Sequence, residues 1–531
     1  MKKFFTLVAA ALCSMSMMAK DYTCPLTVSM SGTDMPIGDI TVTVDEAKDG
    51  TYTLKLIDFD LGGFMPVGNV VVENVEATKC GNVTMLNAQK TIQITAGTKK
   101  DDDGNDLEWM GPGLGDVNIL FKGELKGDNF NAILNIPVAG QLIVGVKLGD
   151  GANELGQLPN SGFENFHTAK YGSTTNDEPN GWHSFTSATG GLVGTVAGIT
   201  HTWISTDVRT NAETGSKQCV KIASAPVKAG LITLASANGT ITTGRLQAGS
   251  MSPSDKANCS FLDFSKTDVD GNGDPFYAVL NNKPDSINVW VKYHAGADNK
   301  NPHATISALL TNGEYTQDPE DSKYASNIIA RANNSAIEST NEWQKISIPF
   351  TYDNEEEMPK AALVTMSTCN VPSGGTKSEK DPDVLYVDDV ELIYNAEIKS
   401  VTMDGEDITS KFDEFGSYEI DNYGKEVNLD NFTVEGIGAG CFITKKMTES
   451  EDEGAVYVTL TVTSNDLKTF DVRSITLKGA ATGIKNAQTI TLPNGVQKIY
   501  NLAGQQVSNM VPGQVYIVKT TDGKTKKFIK K

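Results

Sequence analysis

Apolar and polar residues alternate along this chain in short runs, and no stretch carries a sustained helical stripe. Between about residues 20 and 150 the runs Ile40-Thr-Val-Thr-Val44, Thr51-Tyr-Thr-Leu-Lys-Leu-Ile57, Asn69-Val-Val-Val-Glu73, Thr91-Ile-Gln-Ile-Thr95, Val117-Asn-Ile-Leu-Phe121 and Leu142-Ile-Val-Gly-Val146 stand out. Their two-residue period is that of strands with one face buried and one wet. About eight such strands in a meander predict a small antiparallel barrel, because closure removes the edges that a flat sheet leaves open. Gly149-Asp-Gly-Ala-Asn-Glu-Leu-Gly156 reads as a linker. From Leu158 to Tyr394 similar short runs, separated by Gly, Pro, Asn and Asp clusters, predict a larger β-sandwich spanning 151–396. The fold class expected is therefore all-β and multidomain.

Two smaller pieces follow. Runs at 398–403, 432–436, 441–445, 455–462 and 470–477 have the size and spacing of a small immunoglobulin-like β-sandwich over 397–480. Residues 481–531 contain the run Lys498-Ile-Tyr-Asn-Leu-Ala-Gly-Gln-Gln-Val507, a second strand at Gly513-Gln-Val-Tyr-Ile-Val518, and a basic end from Lys524 to Lys531. At the other terminus, Met1-Lys-Lys3, the apolar Phe4 to Leu12 and the small Ala19 have the build of a secretory signal peptide over 1–19. The apolar run is well short of the ~20 residues that span a bilayer, so a membrane-spanning anchor is not expected. The expected address is outside the cytoplasm, at the cell surface or beyond.

Composition narrows the partners. The formal charge of −21, or −23 once Lys2 and Lys3 leave with the signal, repels phosphate backbones, so nucleic acid is not expected. Fifty glycines suit a turn-rich β protein, and 39% hydrophobic residues suffice for ordinary cores. Of the seven cysteines Cys13 leaves with the signal, and those at 24, 80, 219, 259, 369 and 441 are too sparse for a disulfide scaffold and include no CxxC pair. A single bridge between Cys24 and Cys80 and six small buried thiols are the two readings left open.

Several runs carry resemblances. Leu158-Pro-Asn-Ser-Gly-Phe-Glu-Asn-Phe166, Asn180-Gly-Trp-His183, Asn238-Gly-Thr-Ile-Thr-Thr-Gly-Arg245, Lys283-Pro-Asp-Ser-Ile-Asn-Val-Trp-Val-Lys-Tyr293 and Leu385-Tyr-Val-Asp-Asp-Val-Glu-Leu-Ile-Tyr394 occur in an order that resembles the putative carbohydrate metabolism domain of secreted Gram-negative proteins. That resemblance implies a carbohydrate-binding-like jelly roll. The first module resembles, in layout, the calycin-like barrel domain of the same bacteria. The tail is similar to the C-terminal sorting domains of type IX secretion, which implies display at the surface.

Candidate chemistry is of two kinds. For cations, Glu164 and Asp388 sit on the opening and closing segments of the sandwich, where the resemblance to carbohydrate-binding jelly rolls implies a structural calcium. Two-residue alternation puts Tyr386, Asp388, Val390 and Leu392 on one inward face. Asp268-Val-Asp-Gly-Asn-Gly273 adds half of a calcium loop, with Asp268, Asp270 and Asn272 as ligands, although Val279 stands where its bidentate acid belongs. Asp101 to Asp106 forms a weaker acidic turn. For glycans, Ile287, Val289 and Val291 make an apolar face that turns Trp290, Asn288 and Lys292 the other way, as a flat ring with polar neighbours suits a sugar. Trp182 and His183, in a loop where a sugar could be reached, and Arg245, as a hydroxyl donor, are further candidates, and Trp182 reads equally well as an edge-of-core anchor. Five histidines show no HExxH spacing, and no GxSxG elbow or phosphate loop is present. The function expected is non-catalytic carbohydrate binding, with a glycoside hydrolase and a protein-binding adhesin as alternatives.

Overall fold

A computed structural model describes residues 16–480, apart from 31–32, 62–64, 102, 138–141, 211–214, 230, 270 and 450–454, together with 496–501, 515–520 and 525–529. Eight antiparallel strands in sequence order close into a barrel: Ser16–Met30, Thr33–Ala47, Tyr52–Asp60, Pro66–Cys80, Val83–Gln93, Asp116–Lys126, Asn129–Pro137 and Ile143–Leu148. Closure is made by pairs such as Val28 opposite Val146. The interior is filled by the side chains that alternation turns inward, among them Leu26, Val44, Leu54, Val72, Ile119, Phe121, Leu134 and Leu148. In a barrel of eight strands that much branched apolar volume occupies the lumen.

The central module is a sandwich. One sheet has the order Thr202–Ser205, Cys219–Ala223, Val384–Ile393, Ser286–His294, Gln344–Pro349; the other has the order Thr240–Thr242, Ala361–Ser367, His303–Thr311, Ile328–Glu338, Thr351–Tyr352. Ile287, Val289, Val291, Leu385, Val387, Ile306, Ala308 and Leu363's neighbour Val364 face one another between them. Such inner faces, alternating with wetter outer positions, are how two sheets share a core.

Residues 397–480 build two further sheets, Glu397–Met403 with Phe432–Ile437 in one and Phe442–Glu449, Ala455–Thr463 and Phe470–Lys478 in the other, over a core of Val401, Phe432, Val458, Leu460 and Ile475. Val496–Asn501, Val515–Thr520 and Thr525–Ile529 form a three-stranded antiparallel sheet. Among the described residues no helix is long and apolar enough to cross a membrane.

The modules are packed on one another. Cys80, Val83 and Met85 of the barrel meet Leu262, Tyr277, Leu309 and Leu363 of the sandwich. Leu120 and Ile133 on the outer wall of the barrel meet Ala152 of the linker and Leu467 of the third module. The Cys24–Cys80 bridge is thereby corrected: both thiols are free, because Cys24 belongs to the barrel interior and Cys80 to the interface with the sandwich.

Candidate functional site

A groove of about 650 Å³ runs where the entry to the sandwich, its last strand and the third module meet, lined by Gln157, Glu164, Ser216, Asp389, Tyr394 and Lys468 among others. The entry segment lies along the last strand as an extra edge. Gln157 Nε2 donates to the Leu392 carbonyl and Gln157 Oε1 accepts from the Leu392 N–H, both at 2.8 Å, and the Val390 N–H donates to the Ser161 carbonyl at 2.8 Å. Three non-glycine residues here hold left-handed backbone: Asn160 at φ 47°, Phe163 at φ 49° and Asp389 at φ 43°. For a buried phenylalanine that conformation is costly, and such strain persists where the surroundings over-determine it, often at sites of function.

Glu164 and Asp388 are brought to the same short segment. The Ser216 hydroxyl donates to Asp388 Oδ2 at 2.9 Å, and the Lys217 N–H donates to Glu164 Oε1 at 2.7 Å. Asp388 Oδ1 accepts from the Asp389 N–H at 2.9 Å. Protein donors thus occupy oxygens of both carboxylates on which the calcium expectation rested. Burial, and then the neighbouring charge of Asp389, push the Asp388 carboxyl up to about 6. Asp389 itself is ion-paired with Arg209.

The face expected for the last strand needs correction. Trp290 pairs with Asp388 while Asn288 pairs with Glu391, so the Val384–Ile393 strand carries one extra residue between them. A bulge of this kind reverses the side on which later residues point. Val390 and Leu392 accordingly join Leu385 and Val387 in the core, and Tyr386 with Asp388 lies on the other face.

The glycan candidates are placed as follows. Trp290 is half-buried, and the Arg209 guanidinium lies 4.1 Å from its ring centroid, so that face of the indole is already covered. Lys292 is ion-paired with Asp207 and lies over the Tyr386 ring at 4.9 Å. Asn288 is buried, and its Oδ1 has no hydrogen-bond partner among the described residues. Trp182 and His183 are both 0% exposed, which corrects the expectation of a reachable loop: the indole packs on Phe163 at 5.2 Å and donates from Nε1 to the Pro159 carbonyl at 2.9 Å. Arg245 is engaged with Asp263 at 3.0 Å and with the Ser187 carbonyl at 3.0 Å.

In the expected calcium loop, Asp268 turns inward to His183, with Oδ2 3.3 Å from Nδ1, whereas Asn272 is exposed and reaches Asn180 Oδ1 at 3.3 Å. These two side chains diverge and do not form one ligand set. Asp270 lies outside the described residues. In the acidic turn, Asp101 Oδ1 accepts from the N–H groups of Asp103 and Asn105 at 3.0 and 2.7 Å, an ordinary self-capped turn. Sequence reasoning missed Ser216 and Asp389 in the groove, and Arg209, which is ion-paired with Asp389. Asp389 was adjacent to a chosen residue, but only its left-handed backbone marks it, and no local pattern announces that.

The fold thus defines an all-β, multidomain protein that opens with a closed eight-stranded barrel. Residues 18–147 match the family model of the calycin-like beta-barrel domain. No curated protein matches the chain. Among solved structures, the chain is similar to one described as a putative glycoside hydrolase from Bacteroides vulgatus, at 18% identity and a TM-score of 0.33 over 44% of this chain and 96% of that one. It is similar also to one described as a putative glycoside hydrolase from Bacteroides thetaiotaomicron, at 14% identity and a TM-score of 0.29 over 70% of this chain and 84% of that one.

Proposed function

We propose that this is an exported carbohydrate-binding protein that captures a glycan in the groove beside Glu164 and Asp389 without cleaving it. The observation that carries the reading is the composition of the groove wall, which is lined by carboxylates at Glu164, Asp389 and Glu391, an amide at Gln157, a hydroxyl at Ser216 and a cation at Lys468. Sugar hydroxyls need such convergent donors and acceptors. The runs that resemble the putative carbohydrate metabolism domain support the same reading, since Glu164 and Asp389 both lie within them. Export rests on the basic start, the short apolar run and Ala19, and surface display rests on the sorting-like tail.

The test is a glycan array on the full chain followed by titration calorimetry with the best ligand. Glu391→Ala and Glu164→Ala, both at exposed positions, are expected to weaken binding about tenfold each, which is ~1.4 kcal/mol. Unchanged affinity in both variants moves the site elsewhere. Release of reducing ends that Asp388→Asn abolishes while binding persists replaces binding by glycoside hydrolysis, with the raised carboxyl of Asp388 as its acid. Failure of every glycan with capture of a protein favours an adhesin.

A further inference from the structure

Away from the groove, three pieces of chain bring His167, Glu178 and Asp268 together. His167 and Glu178 are direct cross-strand partners in the hairpin made by Phe166–Tyr171 and Thr174–Pro179. Cross-strand partners of this kind hold their Cβ atoms about 5 Å apart. Asp268 arrives on the turn after Asp263–Thr267. His167 Nε2 lies 3.8 Å from Glu178 Oε2 and 4.0 Å from Asp268 Oδ2, and the three atoms all fall within 4.8 Å of one another. The side chains of Glu178 and Asp268 are 0% and 1% exposed, that of His167 10%.

What the other atoms of these residues do decides the reading. His167 Nδ1 is 3.0 Å from Asn180 Oδ1, an acceptor that also receives the Asn272 amide. The proton of a neutral His167 therefore sits on Nδ1, and the Nε2 lone pair points into the cluster, the arrangement found where a second residue orients a metal-binding imidazole. Glu178 Oε1 is saturated by the Ser184 N–H at 2.9 Å and by the Ser184 hydroxyl. Its Oε2 and the His167 Nε2 are buried with no hydrogen-bond partner among the described residues, and the gaps between them exceed hydrogen-bond length. Leaving a buried carboxylate oxygen unpaired is expensive.

His183 closes the far side of the cluster: its Nε2 faces the Pro275 carbonyl at 3.0 Å and so donates, and its Nδ1 faces Asp268 Oδ2 at 3.3 Å. The space in front of the cluster is also kept open by Gly271, where a Cβ comes within 2.7 Å of His167 Nε2 and 2.9 Å of Asp268 Oδ2.

We propose that His167 Nε2, Glu178 Oε2 and Asp268 Oδ2 bind a first-row divalent metal ion of the zinc class, which clasps the 166–179 hairpin to the 268–274 turn. One imidazole nitrogen with two carboxylate oxygens is a zinc-type donor set, whereas calcium takes six to eight oxygens. Ligands about 2.1 Å from a tetrahedral ion stand about 3.4 Å apart, so the two distances to His167 close by rotating side chains through a few tenths of an ångström. With its carboxylates buried the site is structural, and it is independent of the glycan groove. The role of the 268–273 run is redistributed: Asp268 is a ligand, and Asn272 acts through Asn180 on the orientation of His167.

The experiment uses the full chain, stripped with chelator and dialysed, and titrated calorimetrically with Zn2+, with Mn2+ and Ca2+ as parallel arms. One equivalent of zinc per chain is expected, with a rise in melting temperature on loading. His167→Asn, at the partly exposed ligand, is expected to lose that equivalent, and Asn180→Ala to weaken it ten- to a hundredfold. Substitution by Co2+ gives a visible d–d spectrum that the His167→Asn protein should not develop. Absence of a zinc equivalent, uptake of calcium in its place, or zinc binding that His167→Asn leaves unchanged overturns the proposal. Glu178→Gln is the stronger variant if it folds, and His167→Asn decides the matter if it does not.

Discussion

Lys122 offers a sharp test of how the three modules are packed. It lies on the barrel strand Asp116–Lys126, in phase with the outward Leu120, yet it is only 7% exposed. Its ammonium donates to the Asn281 carbonyl of the sandwich at 2.7 Å and to Asn465 Oδ1 of the third module at 3.0 Å. Burial lowers its pKa from 10.5 to about 7; the charge of Asp466 opposes the drop and that of Lys283 adds to it. In the unfolded chain the lysine keeps its proton to about pH 10, so between pH 7 and 10 the unfolded state binds more protons and stability rises with pH. At ~1.4 kcal/mol per pKa unit the ceiling on that rise is about 5 kcal/mol. Lys122→Met keeps the apolar stem and removes the charge. Asn465 Oδ1 retains the Lys283 N–H at 2.9 Å, so the loss is chiefly the bond to the Asn281 carbonyl, a cost of about 1–3 kcal/mol. The variant should therefore be less stable than wild type by that amount at pH 10 and more stable by about 2 kcal/mol at pH 6. Urea unfolding followed by tryptophan fluorescence across this range measures the difference directly. Glu124 and Lys283 are present in both proteins, so their titrations largely cancel. A difference that stays constant with pH refutes the buried, deprotonating lysine.

Trp182→Ala removes a fully buried indole from the sandwich core and should cost about 3–5 kcal/mol by thermal or denaturant melts; a loss under 1 kcal/mol contradicts its place there. Asp388 has the opposite linkage to Lys122: a carboxyl raised to about 6 contributes stability below its unfolded pKa of about 3.9 that is lost as pH rises through 6. Asp388→Asn should consequently gain on wild type by up to ~3 kcal/mol between pH 4 and 7, and parallel pH profiles rule that out. Deleting residues 498–531 should hold the protein in the periplasm if the tail routes it to the surface, and unchanged surface labelling of the deletion argues against the sorting-tail reading.

The strands were legible because their information is local. A two-residue period states which residues share a side, and turn residues state where a run stops, so the barrel strands and the inner face Ile287, Val289 and Val291 follow from the sequence. The same period fails wherever one backbone event or a distant segment intervenes. One extra residue beside Asp389 reverses the last strand, so Val390 and Leu392 face the core while Tyr386 and Asp388, counted onto the same inward side, lie on the other face. Counting also places Lys122 on a wet outer wall, because alternation says which side a residue takes and not what comes to cover that side. Trp182 read equally well as a sugar platform or a core anchor until Phe163 and the Pro159 carbonyl were seen to enclose it. His167, Glu178 and Asp268 carry no spacing that links them. Their meeting is set by a hairpin register and by a turn about a hundred residues away in the chain, which only the packed structure brings to one point.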